Sequence, residues 1–231
     1  MNNIENLPDP IVKCESDLIY SPSDDTYLII DYIKKKLDKH SFDGIRFENI
    51  NYILDMGTGT GIIPILLLYL LKKIPKCNLK IYASDILEEV LTCAKNNENL
   101  NGFNSKIHYI HSNLFKSFPN SLKNLFDIII FNPPYLPPIN EYNFRDLSNK
   151  KDFCWNGGKW GIEIFKEFLN EVREFLNLTH ECYIYYISSS RGNQKKLNNL
   201  IEEKRFKNQV LEKKHIFFED IILNRLIPSD F

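Results

Sequence analysis

The sequence is poor in several features that would settle its class at once. Its greasiest run, Ile62 to Leu71, spans only ten residues and contains Pro64. A membrane-crossing helix needs about 20, so a soluble protein is expected. The N-terminus is polar and acidic, where a secretory leader would be basic and then apolar, so no leader is expected. Net charge is nearly absent: 29 basic and 30 acidic residues leave -1. That balance gives no global field of the kind that draws proteins onto nucleic acid, although it leaves room for a local patch. The five cysteines stand at 14, 77, 93, 154 and 182, with no CxxC pair. An odd, scattered set is expected to be reduced thiols of a cytosolic protein, not a disulfide framework or a zinc site. Internal repeats and low-complexity segments are also missing.

What remains is enough to build a core. A chain of 231 residues, 43% hydrophobic, supports one well-buried α/β domain and is too short for two large ones. Residues 1–20 read as a surface arm and 21–231 as a single domain. Ser21 to Thr26 looks like a turn and helix N-cap, followed by Tyr27, Leu28, Ile30, Ile33 and Leu37 at helical spacing. Lys34 to Lys36 suits the solvated end of that helix. Residues 38–49 read as a polar linker. Strands are predicted at 52–54, at 79–83 (closing on Asp85), at 107–110 and at 126–131, with helices at 62–73 and 86–100 between them. Asn101-Gly102 stops the second of these helices. A helix at 160–176, a strand at 182–188, a helix at 192–203 and two paired strands over 206–228 complete the chain. Strand and helix alternate, which predicts a doubly wound, mostly parallel sheet closed by an antiparallel hairpin.

Asn132-Pro133-Pro134-Tyr135 ends the apolar run 126–131. In open α/β sheets, ligands sit at that end of the strands. The two prolines stiffen the tetrad. Asn132 offers a side-chain carbonyl and Pro133 a backbone carbonyl, two rigid acceptors suited to gripping a planar NH2 group by both hydrogens. Tyr135 adds a flat face for stacking. A strand that merely ends in prolines is the plainer reading, and the rest of the chain weighs against it. Asp55-Met-Gly57-Thr58-Gly59-Thr-Gly61 lies in a strand-to-helix turn, where glycines let the backbone approach a ligand. Asp85, ending the next strand, is placed to hold ribose hydroxyls. Asp55 suits an ammonium group better than a pyrophosphate. A ligand with an ammonium, a carboxylate, a ribose and a base is S-adenosylmethionine.

With these motifs the chain resembles the class I S-adenosylmethionine-dependent methyltransferases that act on amide or exocyclic nitrogen. It is most similar to the HemK-type glutamine methyltransferases of class 1 release factors. Ser21-Pro22-Ser-Asp24-Asp25-Thr26-Tyr27 and Trp155-Asn-Gly157-Gly158-Lys-Trp-Gly161 resemble the short archaeal and eukaryotic branch, over residues 18 to 228. The resemblance implies a seven-stranded Rossmann-like sheet. It implies Asn132, Pro133 and Tyr135 as catalytic residues. For the cofactor it implies Asp25, Thr26, Asp55, Gly57, Thr58, Gly59, Gly61, Asp85, Ile86, Asn113, Leu114 and Asn132. Asn113-Leu114 departs from the family's Asp-Leu, and its uncharged amide is expected to weaken cofactor binding modestly.

The resemblance further implies a Gly-Gly-Gln glutamine as acceptor, a cytoplasmic setting (or a nuclear one in a eukaryote), and a small zinc-binding activator subunit covering an apolar edge. The helix at 62–71 and the edge of the third strand are the expected partner surfaces. Residues 136–159, with Tyr142, Phe144, Arg145 and Trp155, are expected to form the lip that reads the partner. Two other enzymatic readings stay open. An adenine amino methyltransferase acting on DNA or RNA would need a basic track, and the lysines at 34–36, 195–196 and 213–214 are candidates for one. A protein lysine methyltransferase is the other. The non-enzymatic alternative, a cofactor-binding scaffold without chemistry, fits poorly with an intact tetrad and Asp85.

Overall fold

The computed structural model describes residues 7–16, 18–38, 40–74, 79–137 and 155–230. In chain order the elements are α1 (Asp24–Lys36), the short strands β1 (Ser41–Phe42) and β2 (Ile45–Arg46), β3 (Tyr52–Met56), α2 (Ile62–Leu71) and β4 (Lys80–Asp85). They continue with α3 (Glu88–Leu100), β5 (Ile107–His111), β6 (Ile128–Phe131), α4 (Glu163–Glu171), β7 (Tyr183–Ser189), α5 (Gln194–Glu203), β8 (Phe206–Ile216) and β9 (Glu219–Pro228).

β6 is apolar throughout because both of its faces are covered. Ile128 and Ile130 face the core under α1 and α2, while Ile129 and Phe131 face the core under α4 and α5. The seven strands lie in the order β5-β4-β3-β6-β7-β9-β8. The first five run parallel, and β9 pairs antiparallel with both β7 and β8. This is the doubly wound sheet with a terminal hairpin that the alternation predicts. Chain order reverses direction between β3 and β6, and a crevice opens there at the carboxyl ends. No helix among the described residues is long and apolar enough to cross a membrane.

Four expectations change. Residues 38–49 are not a polar linker: β1 and β2 form a small hairpin whose Phe42, Ile45 and Phe47 are buried. Its turn residue Asp43 accepts hydrogen bonds from the Tyr32 and Tyr185 hydroxyls and from Arg225 Nη1, each at 2.8 Å. Three apolar anchors spread over so short a stretch leave no periodicity to read. Second, α2 offers no free apolar face, because Ile62 through Leu68 and Leu70 are all buried. An all-round apolar helix is a core helix, so it is not a partner surface. β5, in contrast, pairs among the described residues only with β4 and stands at the edge of the sheet. Third, the helix after the 136–159 segment begins at Glu163, because Trp160-Gly161 forms a tight turn first, and it gives way to a single 3-10 turn at Val172–Glu174.

Fourth, the cysteines are not all unpaired. Cys14 and Cys93 form a disulfide across a separation of 79 residues, with Cα atoms 6.0 Å apart. Cys182 is free and buried, and Cys77 and Cys154 lie outside the described residues. The pairing follows from the path of the arm, which folds back along α3. Asn97 Oδ1 accepts from Lys13 N at 2.8 Å, and Asn101 Oδ1 accepts from Ile11 N at 2.9 Å. Asn101 Nδ2 donates to the Ile11 carbonyl at 2.7 Å. One helical turn apart, the two amides hold the arm as a neighbouring strand would.

Candidate active site

The crevice at the carboxyl ends of β3, β4 and β6 is floored by the glycine-rich turn. Gly57, Gly59 and Gly61 have φ of 66°, 55° and 78°, a region costly for side-chain-bearing residues. Gly61 does not line the crevice. It is the N-cap of α2, and an added Cβ there would lie 3.0 Å from Ala94 Cβ on α3. Its role is close helix packing, while Gly57, Thr58 and Gly59 face the cavity.

Asp55, near the end of β3, is 2% exposed. Its Oδ2 and the Thr58 Oγ1 are buried without hydrogen-bond partners. Burial pushes the Asp55 carboxyl up to about 7, opposed by the neighbouring Thr58 side chain, while the Asp85 charge adds a smaller rise. Asp85 ends β4 and accepts from Gly59 N and Leu87 N, both at 3.2 Å. Burial raises its carboxyl too, opposed by those N–H groups. The helix behind it starts later than expected, with Leu87 rather than Asp85 at the N-cap. Ile86, Asn113 and Leu114 complete this wall. An orphaned carboxylate oxygen beside a glycine cradle is costly to keep dry unless a ligand supplies donors.

Across the crevice stands Asn132-Pro133-Pro134-Tyr135. Asn132 Oδ1 is buried and unpartnered. No hydrogen bond among the described residues ends on the Pro133 carbonyl oxygen. Both expected acceptors are therefore free. The segment after the irregular stretch holds the tetrad from behind: Leu136 N donates to the Trp155 carbonyl at 3.1 Å, and Gly157 N donates to the Leu136 carbonyl at 2.9 Å. A Cβ on Gly157 would lie 2.5 Å from the Pro134 carbonyl oxygen. Glycine stands there because the tetrad's backbone occupies the space.

The crevice is roofed by a contact between two segments distant in the chain, 20–26 and Tyr135. Asp25, buried in the first turn of α1, accepts from the Tyr135 hydroxyl at 3.0 Å and from the Tyr20 hydroxyl at 3.1 Å. Thr26 N also donates to it, at 2.6 Å. Burial and the Asp25 charge raise both phenols above their ordinary value, so both stay protonated donors at neutral pH. Tyr20, together with Leu18 on the same wall, is absent from the residues singled out in the sequence. Its place directly before Ser21-Pro22 is the one signal that marks it. Trp155 lines the cavity as expected, while Tyr142, Phe144 and Arg145 lie outside the described residues.

A family model described as methyltransferase small domain matches residues 35–143. A Methanocaldococcus jannaschii protein with the provisional name protein N5-glutamine methyltransferase is 30% identical over 205 residues, 89% of each chain. The chain belongs to the family of protein glutamine methyltransferases. It is an S-adenosyl-L-methionine-dependent methyltransferase. The release factor glutamine methyltransferase of Flavobacterium psychrophilum is 31% identical over 233 residues, 96% of this chain and 70% of that protein. The methyltransferase spans less than half the length of several other curated relatives. Among solved structures, the Encephalitozoon (E. cuniculi) Mtq2 of the Mtq2–Trm112 complex, responsible for methylating the eRF1 termination factor, aligns with a TM-score of 0.60 at 19% identity. That alignment covers 92% of this chain and 99% of the other, and it speaks for the fold.

Proposed function

We propose that this methyltransferase acts on the side-chain amide nitrogen of the glutamine in the Gly-Gly-Gln tip of a class 1 release factor. The observation that carries the reading is the pair of free acceptors at Asn132 and Pro133. One is buried and orphaned, and both are fixed by a proline-stiffened backbone. An amide NH2 fills both. The names of the relatives support the same acceptor.

An amide nitrogen is a poor nucleophile because its lone pair is delocalised into the carbonyl. S-adenosylmethionine, when bound, supplies an electrophilic methyl on sulfur. Asn132 Oδ1 and the Pro133 carbonyl accept both amide hydrogens, aim the nitrogen lone pair into the crevice and stabilise positive charge as it develops there. No strong base is needed during transfer, and the proton leaves afterwards. Catalysis is then orientation plus electrostatics. Asp55 would receive the cofactor's ammonium group, Asp85 its ribose hydroxyls, and Asn113-Leu114 its base. Gly57, Thr58 and Gly59 form the floor, and Asp25 and Thr26 close over it with Tyr20. The ring of Tyr135 flanks the acceptor while its hydroxyl is held by Asp25.

The activator subunit is proposed to be a small zinc-binding protein that pairs with the β5 edge, consistent with the complex formed by Mtq2. The N-terminal arm and a single catalytic domain from residue 21 act in the cytoplasm, where translation termination occurs. A nucleic-acid acceptor is disfavoured by the near-zero net charge, and three lysines of the candidate basic track are already paired. Lys34 pairs with Asp9, Lys35 with Glu212, and Lys214 with Asp24.

The test is methyl transfer from labelled cofactor to a class 1 release factor, with and without an activator subunit. A Gln-to-Ala release factor and a DNA and RNA pool are the controls. Label on the parent factor alone is expected. Label on nucleic acid alone would overturn the acceptor.

A further inference from the structure

Phe217 and Phe218 are 87% and 97% exposed, far more than any other large hydrophobic residue described. They make up the whole turn between β8 and β9, whose last paired residues are Ile216 and Glu219. Two-residue hairpin turns favour Asn-Gly or a leading Gly, because the first position takes positive φ. Phe217 takes φ 52° with a bulky side chain. Backbone strain and bare aromatic surface coincide at one point, and nothing within the described chain offsets either.

The position of the turn indicates a purpose. β6 and β7 are parallel neighbours, with Phe131 opposite Tyr186, so the end of β7 lies beside the Asn132–Tyr135 tetrad. β9 starts at that same end, Ile221 standing opposite Ser189. Ser189 Oγ donates to Glu219 Oε2 at 2.5 Å, and Asp220 N donates to Ser190 Oγ at 2.8 Å, fastening the turn to β7. A small pocket lined by Pro133, Tyr135, Gly161, Ser189 and Gly192 lies between the tetrad and the end of β7, to which the turn is fastened. On the pocket's border Trp160 is 41% exposed, its carbonyl accepting from Asn193 N at 3.2 Å.

We infer that the Phe217–Phe218 turn is a docking point for the folded protein substrate, gripping it outside the catalytic crevice. The inference rests on the proposed amide acceptor. A loop tip entering the crevice buries little surface, and a specific complex needs roughly 800 Å² on each partner. Exposed aromatics beside the mouth supply the kind of anchor that dominates such interfaces. Glu219 and Asp220 follow the pair directly, so a phosphate backbone would meet two carboxylates there.

The double variant Phe217→Ser/Phe218→Ser separates docking from chemistry. Parent and variant are assayed, with or without the activator as the parent requires, on a full-length release factor and on a short Gly-Gly-Gln peptide. Cofactor affinity is measured by calorimetry. The expected result is a rise in KM for the folded factor of about tenfold or more. Its kcat, the peptide kinetics and the cofactor affinity should all stay within about twofold. An unchanged KM for the folded factor would overturn the docking role. So would an equal loss on the peptide, which would mark the turn as structural. A parent that labels nucleic acid and not the release factor would instead overturn the acceptor assignment, and this inference with it.

Discussion

Two buried carboxylates stand at opposite ends of neighbouring strands, and they are treated very differently. Asp127, just ahead of β6, is fully buried and accepts from Asn51 N at 2.6 Å, Tyr52 N at 2.9 Å and Asn177 Nδ2 at 2.9 Å. His180 Nε2 lies 2.9 Å from Oδ1, the oxygen that accepts from Asn177, without making a hydrogen bond of its own. Asp55, near the end of β3, is as deeply buried, yet one of its oxygens has no partner. Asp127 ties the loops that feed the strands together, and both of its own oxygens are met by the chain. At the Asp55 end, Asp55, Thr58 and Asn132 each keep a buried oxygen unpaired. Satisfied burial builds a fold, whereas unsatisfied burial at a crevice prepares for a ligand.

The contrast can be broken from either side. Asn132→Ala removes a buried acceptor for the reacting amide, so turnover at saturating cofactor should fall by about 10²–10³. Equal turnover in parent and variant would show that Asn132 has no part in the chemistry. Asp127→Ala should act the other way. It strands several buried donors and should lower stability by roughly 3 kcal/mol in denaturant melts. Cofactor affinity per folded molecule should stay unchanged, and a selective loss of that affinity would erase the distinction between the two ends.

The smallest effect is graded by pH. With no ligand ammonium beside it, Asp55 has a carboxyl pushed up to about 7, above the value it has in the unfolded chain, because of its burial. The folded state then binds a proton that the unfolded state releases near 4. Stability from this group is fully present below about pH 4 and is lost as the pH rises through about 7. An ammonium partner needs the ionised form, so cofactor affinity should climb as pH rises, by up to about tenfold per unit below 7. Calorimetry between pH 6 and 8 measures the slope, and Asp55→Asn should flatten it. A flat profile in the parent would separate Asp55 from the ammonium group.

What could be read in the sequence was local. Asn132 to Tyr135 and Asp55 to Gly61 are contiguous, and their chemistry survives without knowledge of the fold. The apolar run into β6 and the alternation of β8 and β9 follow from burial on two faces or on one. Contacts between distant segments left no such trace. The Tyr135 hydroxyl reaches Asp25 across 110 residues. Cys14 finds Cys93 only because the arm doubles back over α3. The buried hairpin at 41–46 hides its three anchors among polar neighbours. Gly157 looks like one more loop glycine until the carbonyl of Pro134 is found in the space its side chain would take.

The way α3 holds the arm carries a consequence of its own. Asn97 and Asn101 bind peptide groups at residues 11 and 13, and Ile11 leaves its side chain 56% exposed. The grip is therefore indifferent to what those residues are. Over evolutionary time positions 11 and 13 are free to change what they present to solvent, while the arm follows an unaltered path to Tyr20 above the crevice.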